Sequence, residues 1–182
     1  MIIIINMATS NEMLEQELKS DGIFLVSFEG EKYREGVKGI LDVATKRFKK
    51  ICYVTVNDPC ETIAGSVGDG KCPNIFFIDC VTSTVKSPKP QDNAVFVSSP
   101  HALTEISLAL KKYSQNTDLV IFDSISSMLI YESPSTVLKF IHNLVLIFRT
   151  LRKGVIFIMV KEDASNELVK DFTMFVDKIL NL

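Results

Sequence analysis

Apolar runs of strand length alternate with helical segments along nearly the whole chain, and this alternation limits the fold more than any other feature. Residues 23–28 (IFLVSF), 118–123 (DLVIFD) and 154–160 (GVIFIMV) are apolar over most of their length. Continuous apolar runs are typical of strands buried on both faces of a parallel sheet. Strand–helix–strand units in series place their helices on the faces of such a sheet. The sequence therefore predicts an α/β fold, a three-layer α/β/α sandwich around a mostly parallel central sheet.

The same pattern and the turn residues set the boundaries of the predicted elements. Strands are predicted over 23–28, 51–56, 74–79, 94–97, 118–123, 154–160 and 175–180. Helices are predicted over 11–19, 31–50, 60–67, 100–113, 134–152 and 164–172, and loops over 81–93 and 124–133. No linker divides the sequence. We therefore expect one domain over residues 1–182, in which residues 1–21 form an N-terminal extension with a short helix.

Composition and charge are those of an ordinary globular protein. Of the 182 residues, 47% are hydrophobic and 23% are charged, and the formal net charge is −2. A weakly acidic chain does not attract nucleic acid by bulk electrostatics, although a local basic patch stays open as an alternative. We therefore expect no nucleic-acid partner.

The N-terminal run and the cysteines bear on location and on metal binding. Residues 1–6 (MIIIIN) are far fewer than the roughly 20 apolar residues that span a bilayer. They are interpreted as a short edge strand, as an interface strand, or as residues upstream of a start at Met7. No basic region of an export signal precedes them, so we expect a cytoplasmic protein with reduced thiols and no membrane contact. The four cysteines form no close pair, which predicts no metal site: Cys52, Cys60, Cys72 and Cys80.

One glycine-rich segment is close to a phosphate-binding loop. Residues 65–72 (GSVGDGKC) differ by one residue from the pattern G-x-x-x-x-G-K-[ST]. A working loop follows a buried strand and begins a helix whose N–H groups bind phosphate. This segment instead precedes the predicted strand 74–79, and Cys72 replaces the hydroxyl that binds Mg²⁺. We interpret it as a glycine-rich connecting turn.

The turn after the first buried strand is where a phosphate-binding loop belongs. Residues 26–36 (VSFEGEKYREG) comprise the end of the strand, the turn and the start of the next helix; Gly30 is the only glycine between the strand and the helix, and no Gly-Lys-[Ser/Thr] triplet occurs. The three glutamates of this segment would repel a polyphosphate, and its two cations, Lys32 and Arg34, offset that repulsion only in part. We therefore expect no bound cofactor, with ATP and Mg²⁺ disfavoured at this turn.

From about residue 22 to residue 182, the order of motifs resembles the RecA-like ATPase domains of the KaiC type, which have a P-loop NTPase topology. Residues 118–124 (DLVIFDS) are similar to the Walker B strand of that family. The resemblance implies that Asp123, followed by Ser124, is the carboxylate linked to Mg²⁺. Residues 53–59 (YVTVNDP) are similar to the strand that ends in the family's paired catalytic glutamates, and Asn57 and Asp58 stand at that place. Residues 151–158 and 175–180 are similar to the last helix-to-strand step and the last strand.

The departures from the family pattern concern its chemistry. The Walker A motif is missing from its position, and the glutamate pair is replaced. Residues 160–162 (VKE), at the end of the predicted strand 154–160, lack the polar sensor that the family often has after this strand. The resemblance therefore implies a degenerate, vestigial nucleotide site, which would consist of Asp123, Ser124, Asp58 and Lys32.

Acidic residues end three of the predicted strands. Because strand ends of a parallel sheet line one crevice, Asp58, Asp79 and Asp123 could converge on a cation. The alternative is that each of these carboxylates caps the turn or helix that follows it. We favour capping.

Two functions follow from these patterns. The first is a non-catalytic RecA/KaiC-like domain in regulation or assembly, which forms a homo-oligomer or pairs with a RecA/KaiC-family ATPase. It is suggested by the intact frame, the missing Walker A and the apolar helix 134–152, and it predicts no ATPase activity. The alternative is a divergent Mg²⁺-dependent enzyme that binds a nucleotide or another phosphorylated ligand through Asp58 and Asp123.

Overall fold

The three-dimensional structure is a computed structural model that describes residues 7–18, 21–67, 74–163 and 166–182. The strands are β1 (Ile23–Phe28), β2 (Ile51–Thr55), β3 (Ile75–Asp79), β4 (Ala94–Phe96), β5 (Leu119–Asp123), β6 (Gly154–Val160) and β7 (Lys178–Asn181). The helices are α1 (Met7–Glu17), α2 (Tyr33–Arg47), α3 (Cys60–Ser66), α4 (Thr82–Val85), α5 (Leu103–Tyr113), α6 (Ile125–Tyr131), α7 (Pro134–Leu151) and α8 (Asn166–Thr173).

The strands form one seven-stranded sheet in the order β4-β3-β2-β5-β6-β1-β7, and every strand pair is parallel. Helices α1, α2 and α3 pack against one face of the sheet. Helices α5, α6, α7 and α8 pack against the other face. The predicted three-layer α/β/α sandwich is therefore confirmed, with a described sheet that is parallel throughout.

Burial on both faces explains why the central strands are apolar without alternation. All residues of β1, β2 and β5 are buried, although their side chains point alternately to the two helical layers. Ile121 belongs to the cluster beneath α2 and α3, whereas its neighbours Val120 and Phe122 belong to the cluster beneath α7. The sheet therefore separates two hydrophobic cores, and both are formed by the same strands.

Helix α7 begins where the sequence predicts. The Ser133 hydroxyl accepts a hydrogen bond from the Thr136 N–H at 3.3 Å, and Pro134 occupies the first turn. One stripe of α7 is buried against the sheet, whereas Leu146 is 52% exposed and Leu151 is 37% exposed. The helix is thus a surface element with apolar residues on its outer side, and its burial is confined to one stripe.

Several predicted boundaries were wrong. Residues 81–93, predicted as a loop, contain the short helix α4, and α1 begins at Met7, four residues before the predicted start. Residues 124–133, predicted as a loop, contain α6, because Ser124 caps a helix whose apolar side faces the core. The last strand begins at Lys178, three residues after the predicted start, because Phe175 and Val176 follow the end of α8 in a turn.

Some predicted features lie partly or wholly outside the described residues. The run 1–6 does so entirely. Of the glycine-rich segment 65–72, only Gly65, Ser66 and Val67 are described; the first two end α3 and Val67 caps it. None of the described helices is both long enough and apolar enough to cross a membrane.

Candidate functional site

The carboxyl ends of β2 and β5 form the centre of the candidate site. The two strands are neighbours, and their pairing aligns Thr55 with Asp123. Asp58 lies in the turn after β2, so the sheet order brings it close to Asp123. Both carboxylates line a cavity of about 150 Å³ between α2 and α3. Its other lining residues are Tyr33, Arg34, Val37, Thr62, Ile63 and Ser66.

Asp123 is a buried carboxylate whose two oxygens both accept hydrogen bonds from tyrosines. It is only 2% exposed. The Tyr33 hydroxyl, from the start of α2, donates to Oδ1, and the Tyr53 hydroxyl, from β2, donates to Oδ2. Burial raises the pKa of Asp123 to about 6, although the two hydrogen bonds oppose this rise. The result is a compact cluster of one carboxyl group and two phenols beneath the cavity.

The two tyrosines stay protonated in this cluster. Burial is the main cause that raises the pKa of the Tyr33 and Tyr53 hydroxyls well above their ordinary value, and the nearby Asp123 charge adds to it. Both phenols are therefore fixed as donors to the carboxylate. A protonated phenol cannot act as a base. The two hydroxyls therefore hold the Asp123 carboxylate in position by hydrogen bonds and take no proton from it.

Asp58 differs from Asp123 because it is only half-buried. Its turn is fixed through its backbone, where the Thr55 hydroxyl donates to the Asp58 carbonyl oxygen and accepts from the Asp58 N–H at 3.3 Å. The side chain is left to line the cavity. Its negative charge is one of the causes that raise the pKa of Asp123. Of the four predicted site residues, Asp58 and Asp123 are therefore brought together.

Ser124 has a structural role in α6. Its hydroxyl caps that helix by accepting from the Ser127 N–H at 3.2 Å, and it lies 2.9 Å from the Ser127 hydroxyl. The peptide bond between Asp123 and Ser124 is cis. The neighbouring Ser126 hydroxyl accepts from the Val160 N–H at 2.8 Å and so joins α6 to β6. This serine-rich turn satisfies backbone groups at the end of the sheet.

Lys32 lies apart from the cavity. Its ammonium group forms an ion pair with Glu29 at 2.8 Å, and both side chains are nearly half exposed. The hydrogen bond to Glu29 and its charge raise the pKa of Lys32. The lysine therefore neutralises a glutamate of its own turn, and it is not among the residues that line the cavity.

A carboxylate contacts the backbone of the turn where a phosphate-binding loop would bind phosphate. Gly30 is the first residue of a 3₁₀ turn that leads into α2. Its N–H donates to both carboxylate oxygens of Glu162, at 3.2 and 3.0 Å. Glu162 follows β6, the strand next to β1. The turn thus binds an anion of the chain itself.

Asp79 does not join the other two acids. It is fully buried and accepts hydrogen bonds from the N–H groups of Cys60, Val81 and Thr82, each at 2.8 Å, and from the Thr82 hydroxyl at 2.7 Å. Although burial opposes the effect, these hydrogen bonds lower the pKa of Asp79. Capping is therefore its role. Across the described parts of the chain, no group of three or more His, Cys, Asp or Glu side chains could hold a metal ion.

Sequence reasoning missed three residues of this site: Tyr33, Tyr53 and Glu162. For Tyr53 a signal was present, because a tyrosine inside a fully buried strand needs a partner for its hydroxyl. For Tyr33 and Glu162 no local signal exists. Their contacts join segments 90 and 132 residues apart in the sequence.

Comparisons with known proteins agree with the fold. Neither the family models nor the curated proteins gave a match. Among solved structures, a KaiC-like protein from the hyperthermophilic archaeon Pyrococcus horikoshii is similar with a TM-score of 0.60 at 13% identity, over 94% of this chain and 76% of that one. The flagellar accessory protein FlaH from Methanocaldococcus jannaschii is similar with a TM-score of 0.55 at 10% identity, over 99% of this chain and 78% of that one. The chain therefore has the RecA/KaiC-like α/β fold that its order of motifs predicts.

Proposed function

We propose that the chain is a non-catalytic RecA/KaiC-like domain that acts in regulation or assembly, by self-association or by pairing with an ATPase of the same fold. The observation that carries the proposal is the state of Asp123. Its two oxygens accept from Tyr33 and Tyr53, so the carboxylate that the resemblance links to Mg²⁺ is already bonded within the protein. Each tyrosine hydroxyl takes one of the acceptor positions of its carboxylate oxygen, so fewer positions are left for an ion or for its water.

The turn before α2 supports the same conclusion. A phosphate-binding turn offers free backbone N–H groups, but the Gly30 N–H donates to Glu162. The only lysine of the turn, Lys32, is paired with Glu29. These contacts fit a nucleotide–Mg²⁺ complex poorly, so no nucleotide chemistry is included in the proposal.

A role in assembly is supported by apolar side chains on the outer surface. Leu108 of α5 is 63% exposed and Leu146 of α7 is 52% exposed. Ile130, at the end of α6, is 76% exposed. These three helices belong to one layer, and large exposed apolar side chains in one layer favour contact with another protein.

A steady-state assay of phosphate release with Mg-ATP tests the absence of catalysis. We expect no release above the buffer rate. Measurable ATPase activity that Asp123→Ala abolishes would contradict the proposal. The double variant Tyr33→Phe, Glu162→Gln frees one oxygen of Asp123 and weakens the contact on Gly30. Nucleotide binding by this variant and not by the wild type would show that these two contacts keep nucleotide out.

The cavity favours one alternative function. Asp58 and Asp123 line it together with Arg34, which gives two acids and a cation beside an apolar wall formed by Val37 and Ile63. A small phosphorylated molecule with Mg²⁺ would find ligands for both parts there. A divergent Mg²⁺-dependent enzyme is therefore the second candidate.

A thermal-shift screen separates the two candidates. Nucleotides and sugar phosphates are tested with and without Mg²⁺ on the wild type and on Asp58→Asn. No shift supports the non-catalytic domain. A shift that needs both Mg²⁺ and Asp58 supports the enzyme.

A further inference from the structure

A strip of basic side chains follows the amino ends of three neighbouring strands. The loops before β2, β5 and β6 lie side by side, as hydrogen bonds show: Lys50 O accepts from the Asp118 N–H at 2.7 Å, and the Lys153 ammonium donates to Thr117 O at 2.6 Å. The helices α2, α5 and α7 end at these loops with cations, as is usual for helix C-termini. The basic strip consists of Lys49, Lys50, Lys111, Lys112, Arg152 and Lys153.

The basic strip has little compensating negative charge. Five of its six members are exposed, Lys153 being half-buried, and none takes part in an ion pair in the part of the chain that the structure describes. Its one central acid, Asp118, accepts from the N–H groups of Lys49 and Lys50, both at 3.0 Å. Asp92 lies at its border, in the groove that Lys49 and Lys50 line. The amino edge of the sheet is therefore positive at β2, β5 and β6, whereas at β1 and β7 the acids Glu17, Asp21 and Asp177 lie beside Arg149 and Lys178.

The opposite edge of the sheet, at the carboxyl ends of β1, β2 and β6, is acidic. The acidic side chains lie in the loops after β1, β2 and β6 and at the start of α2. They outnumber the three cations at this edge, which are Lys32, Arg34 and Lys161. Glu31 and Glu35 are exposed and form no ion pair among the described residues. The acidic edge consists of Glu29, Glu31, Glu35, Asp58, Glu162 and Asp163.

We propose that the basic strip of one copy docks on the acidic edge of a second copy, head to tail. The basic strip and the acidic edge lie at opposite ends of strands β2 and β6. The length of a strand therefore separates them, which is about 17 Å for five residues. Docking of this kind is heterologous, because each copy uses a different surface and leaves its other edge free for a further copy. The result is an open stack of chains in parallel orientation.

A second copy fits the basic strip better than a nucleic acid does. A polyanion would be attracted by the strip but repelled by the acidic edge, and the whole chain carries a net charge of −2. A second copy offers its acidic edge directly, so both charged regions are neutralised together. The proposed stacking rests on the self-association proposed above and assigns it to the two charged edges rather than to the exposed apolar side chains of α5, α6 and α7.

Sedimentation velocity with matched variants tests the stacking. The strip variant, Lys49→Gln with Lys112→Gln, removes two of the six positive charges of the basic strip, and the edge variant, Glu31→Gln with Glu35→Gln, removes two of the six negative charges of the acidic edge. Lys38→Gln with Lys139→Gln, at exposed positions in the middle of α2 and α7, is the control for the strip variant. At low salt, about 0.05 M, we expect the wild type and the control to associate as concentration rises, and at about 0.5 M salt we expect this association to be lost by screening.

The strip variant and the edge variant, each measured alone, should associate roughly 2- to 30-fold more weakly than the wild type, because two exposed ion pairs are lost. Mixed in equal amounts, the two variants should form a 1:1 dimer that does not grow, since each retains one intact surface. This dimer distinguishes specific docking from a general effect of charge.

Three results would overturn the stacking. If both variants associate like the wild type, another surface carries self-association, and the proposed function stands while the stacking fails. If the wild type is monomeric at every salt concentration, self-association itself fails. If a labelled single-stranded oligonucleotide binds the monomeric wild type but not the strip variant, the strip is a nucleic-acid surface.

Discussion

Tyr53 and Asp123 lie on neighbouring parallel strands, two residues apart in register, and the tyrosine hydroxyl donates to Oδ2 of the carboxylate in the interior of the protein. Tyr53 is fully buried and Asp123 is 2% exposed, so each side chain provides the other with a hydrogen-bond partner in place of water. The hydrogen bond thus allows a carboxylate to remain beneath the cavity.

Tyr53→Phe should destabilise the protein by about 1 to 3 kcal/mol, because a buried carboxylate loses one of its two tyrosine donors. Urea unfolding at neutral pH measures the change. Tyr131→Phe is the matched control, since Tyr131 is 52% exposed, and it should change stability by less than about 0.5 kcal/mol. Equal effects of the two substitutions would show that the bond to Asp123 contributes little.

The stability difference between wild type and Asp123→Asn should depend on pH. The folded pKa of Asp123 is about 6, above its ordinary value of 3.8, so the folded state holds the proton more tightly than the unfolded state. The wild type therefore pays no ionisation penalty below about pH 3.8, and the penalty grows as pH rises through about 6. Its full size is about 3 kcal/mol.

Urea unfolding of both proteins from pH 4 to pH 8 checks this dependence. The wild type should lose stability relative to the asparagine variant as pH rises, and the difference should level off above about pH 7. A difference that does not change over this range would contradict a raised pKa of Asp123.

Asp79→Ala should cost about 3 kcal/mol or more, because three buried N–H groups lose their acceptor at once. Asp79→Asn keeps one acceptor oxygen and should cost less. The pKa of Asp79 is lowered in the folded state, so its stabilising contribution is present at neutral pH and is lost as pH falls through that lowered pKa. Thermal unfolding at neutral and acidic pH measures both effects; an alanine variant as stable as the asparagine variant would rule out the capping role.

Gly36→Ala should destabilise the protein by about 1 to 3 kcal/mol, because a Cβ there would lie 2.3 Å from the buried ring of Phe28. Gly65→Ala is the matched control. A Cβ at Gly65, also in a helix, would meet nothing within 4 Å, and the gain in helix propensity should stabilise by up to about 1 kcal/mol. Opposite signs in urea unfolding are expected, and a stabilising Gly36→Ala would show that α2 can move away from β1.

Much of the fold was predictable because its signals are local. The apolar runs of β1, β5 and β6 and the Ser133–Pro134 start of α7 each lie within a few consecutive residues. The loop predicted over 124–133 failed for a specific reason. Its serines suggested irregular structure, but Ser124 caps a helix and Ser126 accepts from β6. Polar residues that cap and residues that form loops look alike in a sequence.

The sequence by itself determined the layers and placed Asp58 and Asp123 at strand ends, because periodicity and strand length are properties of neighbouring residues. Only the tertiary structure decided what surrounds Asp123. Tyr33 is 90 residues from it in the chain and Tyr53 is 70, and they meet because β2 pairs with β5 while α2 lies above both. The same holds for Glu162 and Gly30, 132 residues apart. The order of strands in a sheet depends on contacts between distant segments, and this order places two tyrosine hydroxyls on the carboxylate oxygens of Asp123.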